Sequence, residues 1–566
     1  MSDESTNASR TPRPAAQSRR GPRHLWFPAA VVLAVGAWWL WLSRNADYQT
    51  LYHVIAMLAG AMAISIWFAE YGGLRGRIGW FIVGGGWLAV AVGWLIFQPK
   101  FNGDMGIVGF RLRFANEQCA AVPASKHIDD WQNTPRDYSR FLGSGYWPEV
   151  TGIELETDWV GHPPKEMWRR EIGAGWSAFA IVGPYAITQE QRGDNEMVTC
   201  YRVSDGSLVW AHGDAVRFDP AGTGSLGREG PRATPTIVDD KVFTQGATGI
   251  VNCLDARSGD VQWSHDTAEE TGAAVPLWGK SGSPLVVDDM VLVSVGAPLD
   301  GEAASTRPSS TKSATGANGN PAKKFNASLQ AFDMETGAVR WASGKRQASY
   351  ATPIVATLAG ERQIICVNEH HLTAHRVKDG KVLWEYPWPG ELDTTATASQ
   401  PVPVGGDRLF VSKGYGVGAS LLHIIRSAEG TWEVEPLWNP PVRPIMKTKF
   451  CNVVLRGGHV YGLDDVLLEC IEWKTGRVKW KARRKPVFGH GQLLLVGDVL
   501  LVISEQGEVA LVEASPERFH ELARFQALDP SDVTWNTPAF APPYLLIRNA
   551  REAACFRLPL KKQTKE

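Results

Sequence analysis

The feature that most constrains this chain is a short ending, Gly-x-x-x-Trp, that keeps returning. It appears as Gly206 with Trp210, Gly259 with Trp263, Gly337 with Trp341, Gly380 with Trp384 and Gly476 with Trp480. A short alternating apolar segment runs ahead of each, and turn-formers such as Asp205, Ser258 and Thr336 stand just before the glycine. Short strands with regular turn signals, at a period of roughly 40 to 55 residues, specify a propeller of four-stranded blades. Glycine supplies the tight turn, and tryptophan is large enough to fill the gap between blades. Outer strands end at Trp168, Trp210, Trp263, Trp341, Trp384, Trp438, Trp480 and the degenerate Glu521-Leu522-Ala523-Arg524-Phe525. These eight ends predict eight blades. The segment ending at Trp168 comes too early to own inner strands, and residues 538–560 have no outer strand after them. Joined, the two complete one blade and close the ring without an open edge.

Inner strands open on a small residue and proline: Thr234-Pro235, Ser283-Pro284, Thr352-Pro353, Gln400-Pro401 and Thr537-Pro538. Proline is tolerated at a strand's first residue. Asp239-Asp240, Asp288-Asp289 and Gly405-Gly406-Asp407 then supply hairpin turns. Cys200, Cys253 and Cys470 each stand ten residues before a repeat tryptophan, where other blades have Ala331 and Ala374, and Cys555 matches by context. A small apolar slot facing the blade core accounts for them without redox chemistry. Residues 298–324, rich in Ser, Thr, Ala, Gly and Asn, read as a flexible insertion within one blade.

Three uncharged apolar runs, 25–42, 51–69 and 78–97, are each long enough for a membrane-spanning helix. Five arginines precede the first run and Arg75 and Arg77 separate the last two, against Arg44 alone in the first loop. That bias predicts a cytoplasmic tail (1–24), three transmembrane α-helices (25–97) in contact with inner-membrane lipid, and everything later in the periplasm. A connector (98–158), the propeller (159–560) and a short tail (561–566) follow. The whole is expected to be an all-β, eight-bladed propeller preceded by three transmembrane helices. With 58 Lys and Arg against 59 Asp and Glu, nothing draws it to nucleic acid.

Two motifs invite chemistry and fail on context. Residues 222–227 spell Gly-x-Gly-x-x-Gly, but no strand-to-helix turn surrounds them, so they read as a loop. His371 and His375 would share a helix face at ligand spacing, but on a blade strand four residues span about 13 Å, so no metal site is expected. The better candidate is the mouth of the central channel. Arg232, Trp278, Tyr350, Lys413, Tyr415, Lys449, His490, Gln492, Trp535, Asn536, Arg548 and Asn549 cluster near the inner-strand proline motifs. His490 stands between Gly489 and Gly491, as a close backbone approach requires. Arg232, Lys413, Lys449 and Arg548 favour an anionic group there.

The endings with a preceding (Leu/Ala)-x-Asp-x-x-(Ser/Thr)-Gly, as in 254–263 and 331–341, resemble the tryptophan-docking repeat of pyrroloquinoline-quinone (PQQ) type propellers. The resemblance covers roughly residues 159–560. It departs at Glu435-Pro436-Leu437-Trp438, which lacks the glycine, and at 518–525, which lacks the tryptophan. Such propellers serve as quinoprotein dehydrogenases or as cofactor-free scaffolds in outer-membrane protein assembly. The dehydrogenases imply a quinone, a calcium ion on acidic and amide side chains, and commonly a vicinal disulfide. No two cysteines are adjacent here, and no Glu, Asn and Asp set falls on that motif. The expectation is a membrane-anchored extracytoplasmic binding or scaffold protein without a cofactor, for a protein partner or a small anionic ligand. The alternative is a PQQ- and calcium-dependent oxidoreductase of alcohols or sugars.

Overall fold

The computed structural model describes residues 26–45, 49–71, 76–101, 103, 107–112, 127–145, 147–220, 229–296, 327–389, 396–438, 444–482 and 487–561. The N-terminal tail 1–24, the glycine-rich 222–227 and the insertion 298–324 lie outside them. Two units separate, and each is taken by itself.

The first unit holds three helices, α1 (Trp26–Asn45), α2 (Gln49–Tyr71) and α3 (Gly76–Ile96). They occupy the three apolar runs, and one of the three expected spans is supported. Among the described residues only Arg77–Ile96 is long and apolar enough to cross a membrane. The apolar stretches described in the other two, Phe27–Trp38 and Ala56–Ala69, are shorter than the ~20 residues a bilayer core needs at about 1.5 Å per residue.

The second unit is the propeller. Its blades are four-stranded antiparallel sheets: blade 1 (180–214), blade 2 (236–266), blade 3 (285–343), blade 4 (354–387), blade 5 (402–436), blade 6 (454–481), blade 7 (492–526) and blade 8 (539–557). Blade 8 takes its outer strand, Lys165–Glu171, from the other end of the chain, so the ring closes as the sequence predicts. Cys555 stands opposite Trp168 in that pairing, as Cys200 does Trp210, Cys253 does Trp263 and Cys470 does Trp480. All four cysteines are fully buried, in the slot that their spacing indicated.

The tryptophans do more than fill gaps. Each indole N–H of Trp168, Trp210, Trp263, Trp341, Trp438 and Trp480 donates to a backbone carbonyl of the next blade, at 2.7 to 3.2 Å. The repeat glycine sits on the preceding blade's indole. Gly337 has φ +72°, and a Cβ there would come within 2.7 Å of the Trp263 ring. Blade 5 lacks this glycine, and the indole N–H facing it, on Trp384, turns to Gln363 Oε1 of its own blade at 2.7 Å. Blade 7 lacks the tryptophan, and Phe525 fills the space edge-on between Trp159 (5.4 Å) and Phe556 (5.0 Å).

Residues of the connector pack on the end marked by the inner hairpin turns. Tyr138 exchanges backbone bonds with Ile181 of blade 1, and Ile237 N–H of blade 2 donates to Ser139 O. Trp147 then packs against blades 4 and 5 on the far side of the ring. Glu149–Val150 adds a parallel strand to blade 7 beside Leu495 and Val496. The connector thus touches blades 1, 2, 4, 5 and 7 at this end.

Trp263→Ala is expected to cost about 3–5 kcal/mol, the range for truncating a buried aromatic. Gly337→Val should lower the thermal midpoint as well, because its new side chain meets the same indole. Midpoints within a degree of wild type for both would show that indole docking does not hold the blades.

Candidate functional site

The proline motifs owe their polar residue to the neighbouring blade. Ala178 N–H donates to Thr234 Oγ1 (3.2 Å), Thr234 N–H to Ser283 Oγ (2.9 Å) and Ser283 N–H to Thr352 Oγ1 (2.9 Å). The Gln400 amide donates to Thr352 O (3.2 Å), and Gln400 N–H to Asn452 Oδ1 (2.7 Å). Gln492 Nε2 reaches Phe450 O and Trp535 O, and Asn536 Nδ2 reaches Ser177 O, each at 2.8 Å. All eight blade boundaries are crossed. The proline after each polar residue adds no N–H that would need a partner, and its fixed φ starts the strand.

Above this belt the mouth is lined by aromatic rings. Trp176 lies 4.8 Å from Trp535, Trp535 4.8 Å from Phe450, and Phe450 5.7 Å from His490. Lys413 and Lys449 each hold their ammonium 5.3 Å from the Tyr415 ring, and Lys449 is 5.8 Å from Phe450. So Lys413, Tyr415, Lys449, His490 and Trp535 come together in one arc. Trp278 and Tyr350 form a separate pair at 5.5 Å. Arg232 lies over Phe218 at 4.8 Å and donates to Gly230 O.

The other four expected site residues are placed in structural roles. Gln492 and Asn536 belong to the belt. Arg548 is fully buried and donates to Thr188 Oγ1 (3.0 Å), Gln189 O (3.0 Å) and Gly173 O (2.7 Å), tying blade 8 to blade 1. Asn549 Oδ1 accepts from Arg551 N–H and Glu552 N–H, both at 2.9 Å, and so shapes a turn.

Sequence reasoning missed Trp176, Lys280, Phe450 and Glu505. Glu505 follows the second strand of blade 7, close to where Lys413 and Arg548 end theirs, so strand register could have found it. Its Oε1 accepts from Trp535 Nε1 at 2.8 Å. It also accepts from Gly103 N–H at 2.7 Å, and Lys449 Nζ donates to Gly103 O. The chain's own Gly103 is therefore held at the mouth. Among the described residues no group of three or more His, Cys, Asp or Glu could hold a metal ion. His375 bonds Thr373 Oγ1 (3.0 Å) and Gly380 O (3.1 Å) instead.

Burial sets the electrostatics. It pushes the Lys413 ammonium down to about 7 and Lys280 to about 8, and the Glu196 carboxyl up to about 8. Lys413 donates to Ala396 O and, at 3.1 Å, to Thr397 Oγ1.

A lysine whose pKa falls on folding binds fewer protons in the folded state than unfolded, between about 7 and its ordinary value near 10.4. Its destabilising effect is therefore full below pH 7 and fades as pH rises toward 10. Lys413→Met should raise the melting midpoint relative to wild type more at pH 7 than at pH 9.5. A gain that is equal at both, or larger at the higher pH, would contradict this.

The profile of the family described as outer membrane protein assembly factor BamB matches residues 194–482. No curated protein matches the sequence. Among solved structures, BamB from Moraxella catarrhalis is 14% identical and aligns over 70% of this chain and 100% of its own, with a TM-score of 0.45. The quinohemoprotein alcohol dehydrogenase ADHIIG from Pseudomonas putida HK5 is 12% identical over 78% and 84%, with a TM-score of 0.46. Neither structural score carries weight beside the blade count and register. The profile covers just over half of the chain, and on that match the chain belongs to the PQQ-type propeller family described as outer membrane protein assembly factor BamB.

Proposed function

We propose that this protein is a cofactor-free binding propeller of the cell envelope, held at the inner membrane by its N-terminal helices, whose work is to engage a protein partner. The observation that carries this reading is that the protein's own chain is bonded to the propeller at both of its ends. The connector packs on one end through Tyr138, Trp147 and Glu149–Val150. Gly103 is buried at the other, between Glu505 and Lys449. Oxidising an alcohol or sugar needs an open concave site where a bound quinone and a base meet the substrate. Here the cations by the mouth are bonded to carbonyls: Lys449 to Gly103, Lys413 to Ala396 and Arg232 to Gly230. Cavities of about 330 and 450 Å³ open elsewhere, one beside Asp130, Tyr185 and Arg202 and the other beside Pro135, Val203 and Tyr544. The family description, an assembly factor, supports the same reading.

With PQQ and calcium added, the purified protein is expected to reduce no dye above the protein-free blank across a panel of alcohols and sugars. Turnover that disappears in Lys449→Ala would overturn the reading in favour of an oxidoreductase.

Anchoring has its own test. α3 is the span that the described residues support, and α1 and α2 as two further spans complete the proposal. A reporter fused after Glu566 is expected outside, one at Gly73 inside and one at Ala46 outside. An inside result at Ala46 would reduce the anchor to a single span, and an inside result at Glu566 would remove the envelope placement.

A further inference from the structure

We propose that the channel mouth is a peptide-reading site for a lysine followed three residues later by glycine, and that the chain's own Lys100 and Gly103 occupy it as an internal competitor. The inference rests on the binding reading above and names the class of ligand. Three groups read Gly103. Glu505 Oε1 accepts its N–H at 2.7 Å, and Lys449 Nζ donates to its carbonyl. His490 walls its α-carbon, since a Cβ would come within 2.2 Å of His490 Cδ2. A fourth group reads the lysine: Lys100 Nζ lies 3.7 Å from Asp532 Oδ2 and 3.2 Å from Ser531 O.

The readers are held in place by the propeller before any peptide arrives. His490 is 2% exposed, between Gly489 and Gly491 and against Phe450. Glu505, also 2% exposed, is fixed by Trp535 Nε1. Asp532 is 3% exposed and receives Val533 N–H at 3.0 Å. They come from the approaches to blades 6, 7 and 8, while the segment they grip belongs to no blade. An occupant that brings an N–H and a cation adds favourable partners to these buried carboxylates.

Backbone N–H and C=O are common to every peptide, so those two bonds supply affinity. Selectivity comes from the His490 wall, which admits glycine, and from Asp532, which favours a cation three residues earlier. A segment tethered in the same chain acts at an effective concentration in the millimolar range. It therefore holds off any peptide of ordinary affinity until it is released. The mouth is closed to weak partners and open to one that carries the same pattern and binds more tightly.

The test uses the full-length protein in detergent and a fluorescein-labelled peptide with the sequence of residues 98–106. In Gly103→Leu the internal segment cannot pass His490, so the peptide should bind this variant at least tenfold more tightly than wild type, by fluorescence polarisation. Changing the peptide's glycine to leucine, or its lysine to glutamate, should abolish binding. Adding Glu505→Gln or Lys449→Met to the Gly103→Leu protein should weaken binding at least tenfold. Lys100→Glu, which alters no blade residue, gives a second opened variant if Gly103→Leu fails to fold. Equal binding of the glycine and leucine peptides, or no binding to a folded opened variant, overturns the proposal. Failure here with dye reduction absent leaves the scaffold reading standing, whereas quinone turnover removes that reading whatever the peptide does.

Discussion

Every part of this propeller depends on one interaction, the polar belt at the starts of the inner strands. A threonine, serine, glutamine or asparagine from one blade bonds the backbone of the next, around all eight boundaries. A blade sheet alone leaves polar backbone at its inner end, facing a narrow channel. Unpartnered, those groups would carry a desolvation cost of about 1–3 kcal/mol each. The belt pairs them, and in doing so sets the angle of each blade to its neighbour. Tryptophan docking repeats the arrangement at larger radius, with an indole N–H crossing the boundary and a glycine making room for the ring. The inner belt is polar and the outer one mainly apolar, so together they fix both position and tilt.

The two ends of the propeller meet at blade 8, and this seam carries buried charge. Glu190 is fully buried and accepts from Tyr201 OH (2.5 Å), Thr199 Oγ1 (2.7 Å), Arg192 Nη2 (3.1 Å) and Gly173 N–H. Burial pushes its carboxyl up, but Arg192, Arg548 and these hydrogen bonds together hold it below the usual range. Gly173 stands two residues beyond the outer strand that blade 8 borrows, and Arg548 binds its carbonyl from the other side. The seam therefore locks the N-terminal strand into place. Mouth and seam lie close in the fold, since Asn536 and Trp535 belong to the approach to blade 8, and the same rigid frame serves both.

The blades were legible because their signal is local. A glycine four residues before a tryptophan, and a cysteine ten before it, report turn and cross-strand register directly. The third helix was legible for the same reason, through an unbroken apolar run. At the mouth, Lys413, Tyr415, Lys449, His490 and Trp535 could be placed by their distance from strand starts. Arg548 and Asn549 share that distance, but their side chains turn into the seam and a turn, and strand position alone does not give side-chain direction. The occupant of the mouth was beyond local reasoning. Gly103 lies 402 positions from Glu505 in sequence, and nothing in either neighbourhood encodes the other. The packing of the connector was hidden likewise, because its contacts fall on blades 1, 2, 4, 5 and 7 rather than on adjacent sequence.

If the belt is the constraint on which the rest depends, its amides should behave as core although they lie outside the strands. Hydrogen exchange followed by mass spectrometry on the intact protein reads this through peptides covering residues 231–236, 281–286 and 398–403. The account predicts exchange as slow as in the second strands of the same blades. It also predicts that Ser283→Ala accelerates the blade 2 peptide holding Thr234, whose N–H loses its acceptor. Exchange at loop rates in wild type, or an effect of Ser283→Ala confined to its own blade, would contradict it.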